Sequence, residues 1–141
     1  MSAGTGVYHS EYNASRSDEL HFLQIWILPE RPGLPPSYAQ RRFDEAERRA
    51  RLRLLVSPDG ADGSLTIHQD ARIFGALLAE GERVAHELAP GRGAWVQVAR
   101  GAVELGGQLL AAGDGAAVEG EREFVLRGVE PSSELLLFDL A

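Results

Sequence analysis

The sequence predicts an all-β protein, an antiparallel β-sandwich or barrel preceded by an extra N-terminal strand pair and a short linker helix. Three observations lead there. Residues 95–118 read WVQVARGAVELGGQLLAAGDGAAV, β-forming runs interrupted every few positions by glycine. Within them Gly106-Gly107 is a two-residue hairpin signal and Gly113-Asp114-Gly115 a further turn. Short runs of the same kind continue from residue 51 to the C-terminus, the pattern of strands joined by tight turns. Finally, 141 residues with 44% hydrophobic and 25% charged content suit one domain with a real core.

Taken in order, residues 7–12 and 20–28 are expected to be strands. In the second, His21, Leu23, Ile25 and Ile27 lie on one face, and Leu20, Phe22, Gln24, Trp26 and Leu28 on the other. Both faces are mainly apolar, as in a strand covered on both sides. Residues 13–18 form a polar loop between them. Pro29, Pro32, Gly33, Pro35 and Pro36 make residues 29–40 an extended linker. Residues 43–50 suit a short helix, with Asp44/Arg48 and Glu45/Arg49 spaced to pair along one face. From residue 51 the chain alternates, with Leu52, Leu54 and Val56 on one side. Turns follow at Pro58-Asp59-Gly60 and Asp62-Gly63. Further strands are expected at 65–68, 72–78, 83–88, 94–99, 102–105, 115–118, 123–127 and 134–139. The predicted core takes Leu52, Leu54, Leu65, Ile67, Ile73, Trp95, Val96, Val98, Val125, Leu135 and Leu137 from these strands.

Composition narrows the function classes. A net charge of −7 argues against a broad nucleic-acid surface. All 14 basic residues are Arg, which reads as coding bias. There is no Cys, so no disulfide, thiolate nucleophile or Cys-ligated metal is available. The apolar run 22–28 is broken by Gln24 and is too short to span a membrane. With no signal peptide in view, a cytoplasmic protein without membrane association is the default expectation. The Arg cluster at 41, 42, 48, 49, 51 and 53 is interleaved with Asp44, Glu45 and Glu47, and reads as a solvated, ion-paired linker.

The glycine-punctuated run 95–118 resembles the middle of a cupin barrel, a double-stranded β-helix of jelly-roll type. Cupins carry metal on two motifs. Placing the last Gly of the first, G-x5-H-x-H-x(3,4)-E-x6-G, on Gly101 puts its Glu position at Ala94. Its two His positions then fall on Leu88 and Pro90, or on Glu87 and Ala89. The second motif, G-x5-P-x-G-x2-H-x3-N, started at Gly113, puts its His position on Phe124. Neither motif is met in this barrel. At the N-terminus, however, Gly6, His9 and Asn13 fall on G-x2-H-x3-N, with Gly4 where Pro would stand. Together with PSYAQRRF (36–43), LVSPD (55–59), DGSL (62–65), IHQD (67–70) and LLLFDL (135–140), this resembles the pirin family of bicupins. The likeness is strongest to its bacterial members linked to quercetin 2,3-dioxygenase activity. By that resemblance, residues 1–28 correspond to the end of a first cupin, 29–50 to the linker and 51–141 to the whole C-terminal cupin domain.

The resemblance also implies a site. In the family, an H-x-H pair together with a His and a Glu matching His9 and Glu11 hold one metal, usually iron, and the Glu doubles as a base. His9 and Glu11 are therefore the candidate metal ligands, and Glu11 the candidate catalytic residue. The upstream H-x-H has no counterpart in this sequence, and two ligands leave most of the coordination to water. No cofactor is expected in the chain alone; iron or another divalent metal becomes possible if a second chain supplies ligands. His21, His68 and His86 read as structural, hydrogen-bonded histidines. Two functions are expected in competition: a metal-free binding or interaction module, with a possible small-molecule ligand, and a quercetin 2,3-dioxygenase-like enzyme completed by another chain. The unpaired apolar strands 7–12 and 20–28 predict a homodimer built through the N-terminal segment.

Overall fold

Period-2 alternation builds the molecule. In the run Trp95 to Val98, every second side chain faces inward, so Val96 and Val98 are fully buried. The computed structural model describes residues 1–141. A one-turn helix, α1 (Glu45–Arg48), precedes ten strands. These are β1 (Arg53–Ser57), β2 (Leu65–Thr66), β3 (Ala71–Leu78), β4 (Arg83–Glu87) and β5 (Gly93–Arg100). Then come β6 (Ala102–Leu105), β7 (Gln108–Ala111), β8 (Gly115–Val118), β9 (Glu123–Gly128) and β10 (Ser133–Leu140). They form a six-stranded sheet, β2-β1-β3-β10-β5-β8, and a four-stranded sheet, β4-β9-β6-β7. Every pairing is antiparallel except β1 with β2. The predicted all-β cupin-type sandwich is the observed fold.

One core lies between the sheets. The larger sheet contributes Ala76, Leu78, Val96, Val98, Leu135 and Leu137, and the smaller contributes Val84, Val103, Leu110, Phe124 and Leu126. Each large side chain fully withdrawn from water stabilises the fold by roughly 1.5–3 kcal/mol. Two predicted core residues are corrected. Trp95 is 41% and Val125 45% exposed. Each sits next in sequence to a buried residue (Val96, and Phe124 and Leu126), so the pleat turns it to the outer face. The indole of Trp95 instead lies over Gly115, where any Cβ would collide with Trp95 Cζ2.

The linker helix is shorter than predicted. Asp44 N–H donates to Glu47 Oε2 at 3.0 Å, as in a capping box. After Arg48 the chain turns extended, Ala50 takes φ +52°, and Ala50 N–H donates to Leu77 O at 2.9 Å. The end of β3, beyond its last β1 partner at Gly75, thus wins the backbone from the helix. Of the two predicted i,i+4 pairs, Glu45–Arg49 forms at 3.0 Å. Asp44 pairs with Arg42 instead, and Arg48 with Glu134 of β10.

The larger correction concerns residues 7–12 and 20–28. Neither stretch is a strand. Residues 7–29 make no backbone–backbone hydrogen bond. A strand exists only as part of a ladder, and these residues join neither sheet of the chain. They run as an open arm on which Tyr8, Tyr12, Leu20, Phe22, Trp26 and Leu28 are exposed, and so is His21, which was expected in a core. The predicted loop does form: Asn13 Oδ1 accepts from Ser15 N–H and Ser15 Oγ from Asp18 N–H. The arm is anchored at both ends: Ser2 and Ser37 exchange backbone hydrogen bonds before it starts, and its far end returns to the barrel. Glu30 N–H donates to His68 O at 2.8 Å, Gln69 Nε2 donates to Leu28 O, and Leu34 is buried.

Candidate functional site

The sequence-predicted site lies on the arm. His9 Nε2 and Glu11 Oε1 are 3.9 Å apart, with side chains 43% and 56% exposed. The i,i+2 spacing brings them to one side of the chain, but nothing packs behind them to hold either rotamer. No group of three or more His, Cys, Asp or Glu side chains converges anywhere in the chain. A catalytic metal centre needs at least three protein ligands in most settings, with a supporting shell around them. His9 and Glu11 are a fragment of such a donor set and do not by themselves fit a metal. The motif Asn13 is committed elsewhere, its Nδ2 donating to Asp18 O at 2.7 Å.

The barrel holds a second group of chemistry-bearing side chains, centred on His86. Its ring points inward from β4, between Phe74 (centroids 5.1 Å apart, edge-on) and Phe124 (5.8 Å). His86 Nε2 lies 2.9 Å from Asp139 Oδ2 of β10. The other oxygen of Asp139 accepts from Arg92 Nε, while Arg92 Nη2 donates to Asp139 O at 3.1 Å and Nη1 to Asp70 Oδ1 at 2.9 Å. Exposure is 11% for the His86 side chain, 7% for Asp139 and 12% for Arg92. Burial alone would disfavour the guanidinium charge; the hydrogen bonds to Asp139 and Asp70 outweigh it and hold Arg92 above its ordinary pKa. All three guanidinium nitrogens are engaged, in hydrogen bonds to Asp139 and Asp70. This cluster therefore acts as a clamp that ties the ends of β4 and β10 to the loops before β3 and β5.

The sequence marks His86 as a structural, hydrogen-bonded histidine but does not show its partner. Its partner Asp139 is 53 residues away, and no local motif announces the pair. His68 anchors Glu30 through its backbone carbonyl, not through its imidazole.

The cavity between the open rims of β7, β8 and β9 is separate from both clusters. It measures about 730 Å³, and neither His9, Glu11 nor His86 lines it. No helix is long and apolar enough to cross a membrane.

Comparison with known proteins agrees with this geometry. The profile described as "Quercetinase C-terminal cupin domain" matches residues 54–140, and the one described as "Pirin" matches residues 1–27. A quercetin 2,3-dioxygenase of Escherichia coli K12 is 44% identical over 140 residues, covering 99% of this chain and 59% of that protein. A putative quercetin 2,3-dioxygenase of Pseudomonas aeruginosa is 38% identical over 142 residues, covering all of this chain and 60% of its own length. The chain thus spans somewhat over half the length of the curated relatives it matches. Among solved structures, the nickel(II) complex of the bacterial pirin YhhW from Escherichia coli superposes with a TM-score of 0.75 at 38% identity, covering 82% of this chain and 48% of that one. Fold, arm and comparisons agree that the chain belongs to the pirin family and carries that family's C-terminal cupin domain.

Proposed function

We propose that this chain works as a binding and interaction module of the pirin family and is not a self-sufficient enzyme. One observation carries the reading: the two residues that match the family's ligand set stand on an exposed arm, with no third ligand near them. Two donors give weak, water-dominated coordination, and O2 chemistry needs a fuller and better supported site. The same arm exposes apolar side chains on both of its sides, which suits docking to another polypeptide. In the simplest case that polypeptide is a second copy. Purified chain is expected to hold far less than one equivalent of iron or nickel by elemental analysis and to leave quercetin unchanged. One equivalent of tightly held metal, lost on His9→Ala, would overturn the reading.

The relatives' names favour a second function. In it, His9 and Glu11 are part of a metal site completed by another chain, and the assembly acts on quercetin as its 44% identical relative is named for doing. Activity that appears only on addition of a partner polypeptide, and disappears with Glu11→Gln, would establish this alternative.

A further inference from the structure

The four-stranded sheet is incomplete on one side. The β6–β9 ladder ends at the Leu105–Leu126 pair, whereas β9 stays paired to β4 down to Glu123. Glu123 to Val125 therefore have a neighbour on one flank only. On the other flank, past the Gly106-Gly107 turn, the barrel wall opens into the cavity of about 730 Å³. That volume falls within the roughly 300–1,000 Å³ typical of small-molecule sites. Its deep surface is apolar: Leu110, Val118 and Phe124 line it, and all three belong to the core.

Charge on the rim is unevenly spent. At one end Arg127 pairs with Glu104. The hydrogen bond to Arg127, then its charge, holds the Glu104 carboxyl below its ordinary pKa, and Arg127 is raised by the same partner. Arg83 adds to that end through its charge on Glu104. At the other end Glu119, Glu121 and Glu123 have no cationic partner within 4.0 Å. An apolar floor, three unspent carboxylates at one end and the open β9 backbone flank together define the shape and sign of an occupant.

We propose that this opening binds a small amphipathic organic cation. Its apolar body lies on Leu110, Val118 and Phe124, and its positive group faces Glu119, Glu121 and Glu123. An anionic ligand would meet those carboxylates, and a ligand with no apolar body would leave the floor wet. The site depends on neither the arm nor any metal, so it stands or falls apart from the function proposed above.

The test is calorimetric titration of the full chain with three probes of equal chain length: octyltrimethylammonium, octanol and octyl sulfate. The cation should bind, octanol should bind about tenfold more weakly, and octyl sulfate should not bind measurably. Replacing Glu119, Glu121 and Glu123 together by Gln should bring the cation down to the octanol affinity. These side chains are exposed, so the variant should fold as the parent does. Ala116→Phe, which fills the opening, should remove both cation and octanol binding; circular dichroism reports whether it folds, and the Gln variant decides the matter if it does not. Equal affinity for the three probes, absence of cation binding, or unchanged cation binding in the Gln variant would overturn the proposal.

Discussion

Asp139 shows how much one side chain can hold. It is buried, and it is the shared partner of His86 and Arg92. Asp139→Ala would leave the guanidinium of Arg92 and the imidazole of His86 in the barrel without their common acceptor. Breaking a buried charge pair from one side costs about 3–5 kcal/mol, much of it from the charge left behind. Urea denaturation should show that loss, whereas Arg42→Ala, on an exposed pair, should change little. A second titratable residue makes a pH prediction. Asp59 accepts from Ser57 Oγ at 2.8 Å and from Ala61 N–H at 3.1 Å. The Ser57 hydrogen bond, then the Ala61 one, lowers its pKa in the fold. A depressed carboxyl contributes stability that is present above its unfolded pKa and is lost as pH falls through the folded one. Stability of the parent should therefore fall more steeply on acidification below the ordinary carboxylate range than that of Asp59→Asn. Parallel acid branches in the two stability profiles would contradict this. Neither Asp139 nor the Ser57–Asp59 turn could be read as a site from sequence, for different reasons. Asp139 sits in the apolar run LLLFDL, where its meaning comes from a strand on the opposite sheet. The Ser57-Pro58-Asp59-Gly60 run announced a turn, but not the hydroxyl that the carboxylate would bind.

At the scale of elements, the barrel was legible because its signals are local. The predicted strands 102–105 and 115–118 coincide with β6 and β8, and the others differ at their ends by a few residues. Glycine placed the turns, and Gly101 shows why. It joins β5 to β6 at φ +68°, and a Cβ there would stand 2.5 Å from Ser132 O. Gly101→Ala should destabilise the fold by roughly 1–3 kcal/mol, because the obstacle is backbone and cannot swing aside. A thermal melt that matches the parent's would show that the hairpin shifts freely. What failed was the arm. Residues 20–28 have the composition of a buried strand, but strandness is a relation between two segments. Composition states what a segment can do and leaves open whether a neighbour is present. The candidate ligands His9 and Glu11 came from the resemblance to the family's motif, and the same motif, lacking its H-x-H here, already marked the donor set as incomplete.

The molecule as a whole divides into a barrel that satisfies itself and an arm that does not. All ten strands of the barrel pair within the chain, and its core is continuous between both sheets. The arm leaves Trp26 89% exposed, with Tyr8, Phe22 and Leu28 also uncovered, and residues 7–29 have no backbone ladder. Each side chain of that size fully buried would contribute roughly 1.5–3 kcal/mol, and each paired backbone group would cease to depend on water. Neither sheet of the barrel takes up residues 7–29 in this way. A second arm can supply it: two extended segments pair antiparallel about a two-fold axis, and symmetric pairing is the commonest closed solution. Such pairing would also bring two His9–Glu11 pairs toward one another, giving four candidate ligands where one chain has two. Light scattering at micromolar concentration should therefore give twice the chain's mass. Deleting residues 1–19 should return a monomer whose β-rich circular dichroism is retained, because the linker from Leu28 to Leu34 and the whole barrel remain. Trp26→Ser should weaken the dimer without unfolding either subunit, since that indole touches solvent in the single chain. A parent that stays monomeric, or a deletion that stays dimeric, would place the interface elsewhere or remove it.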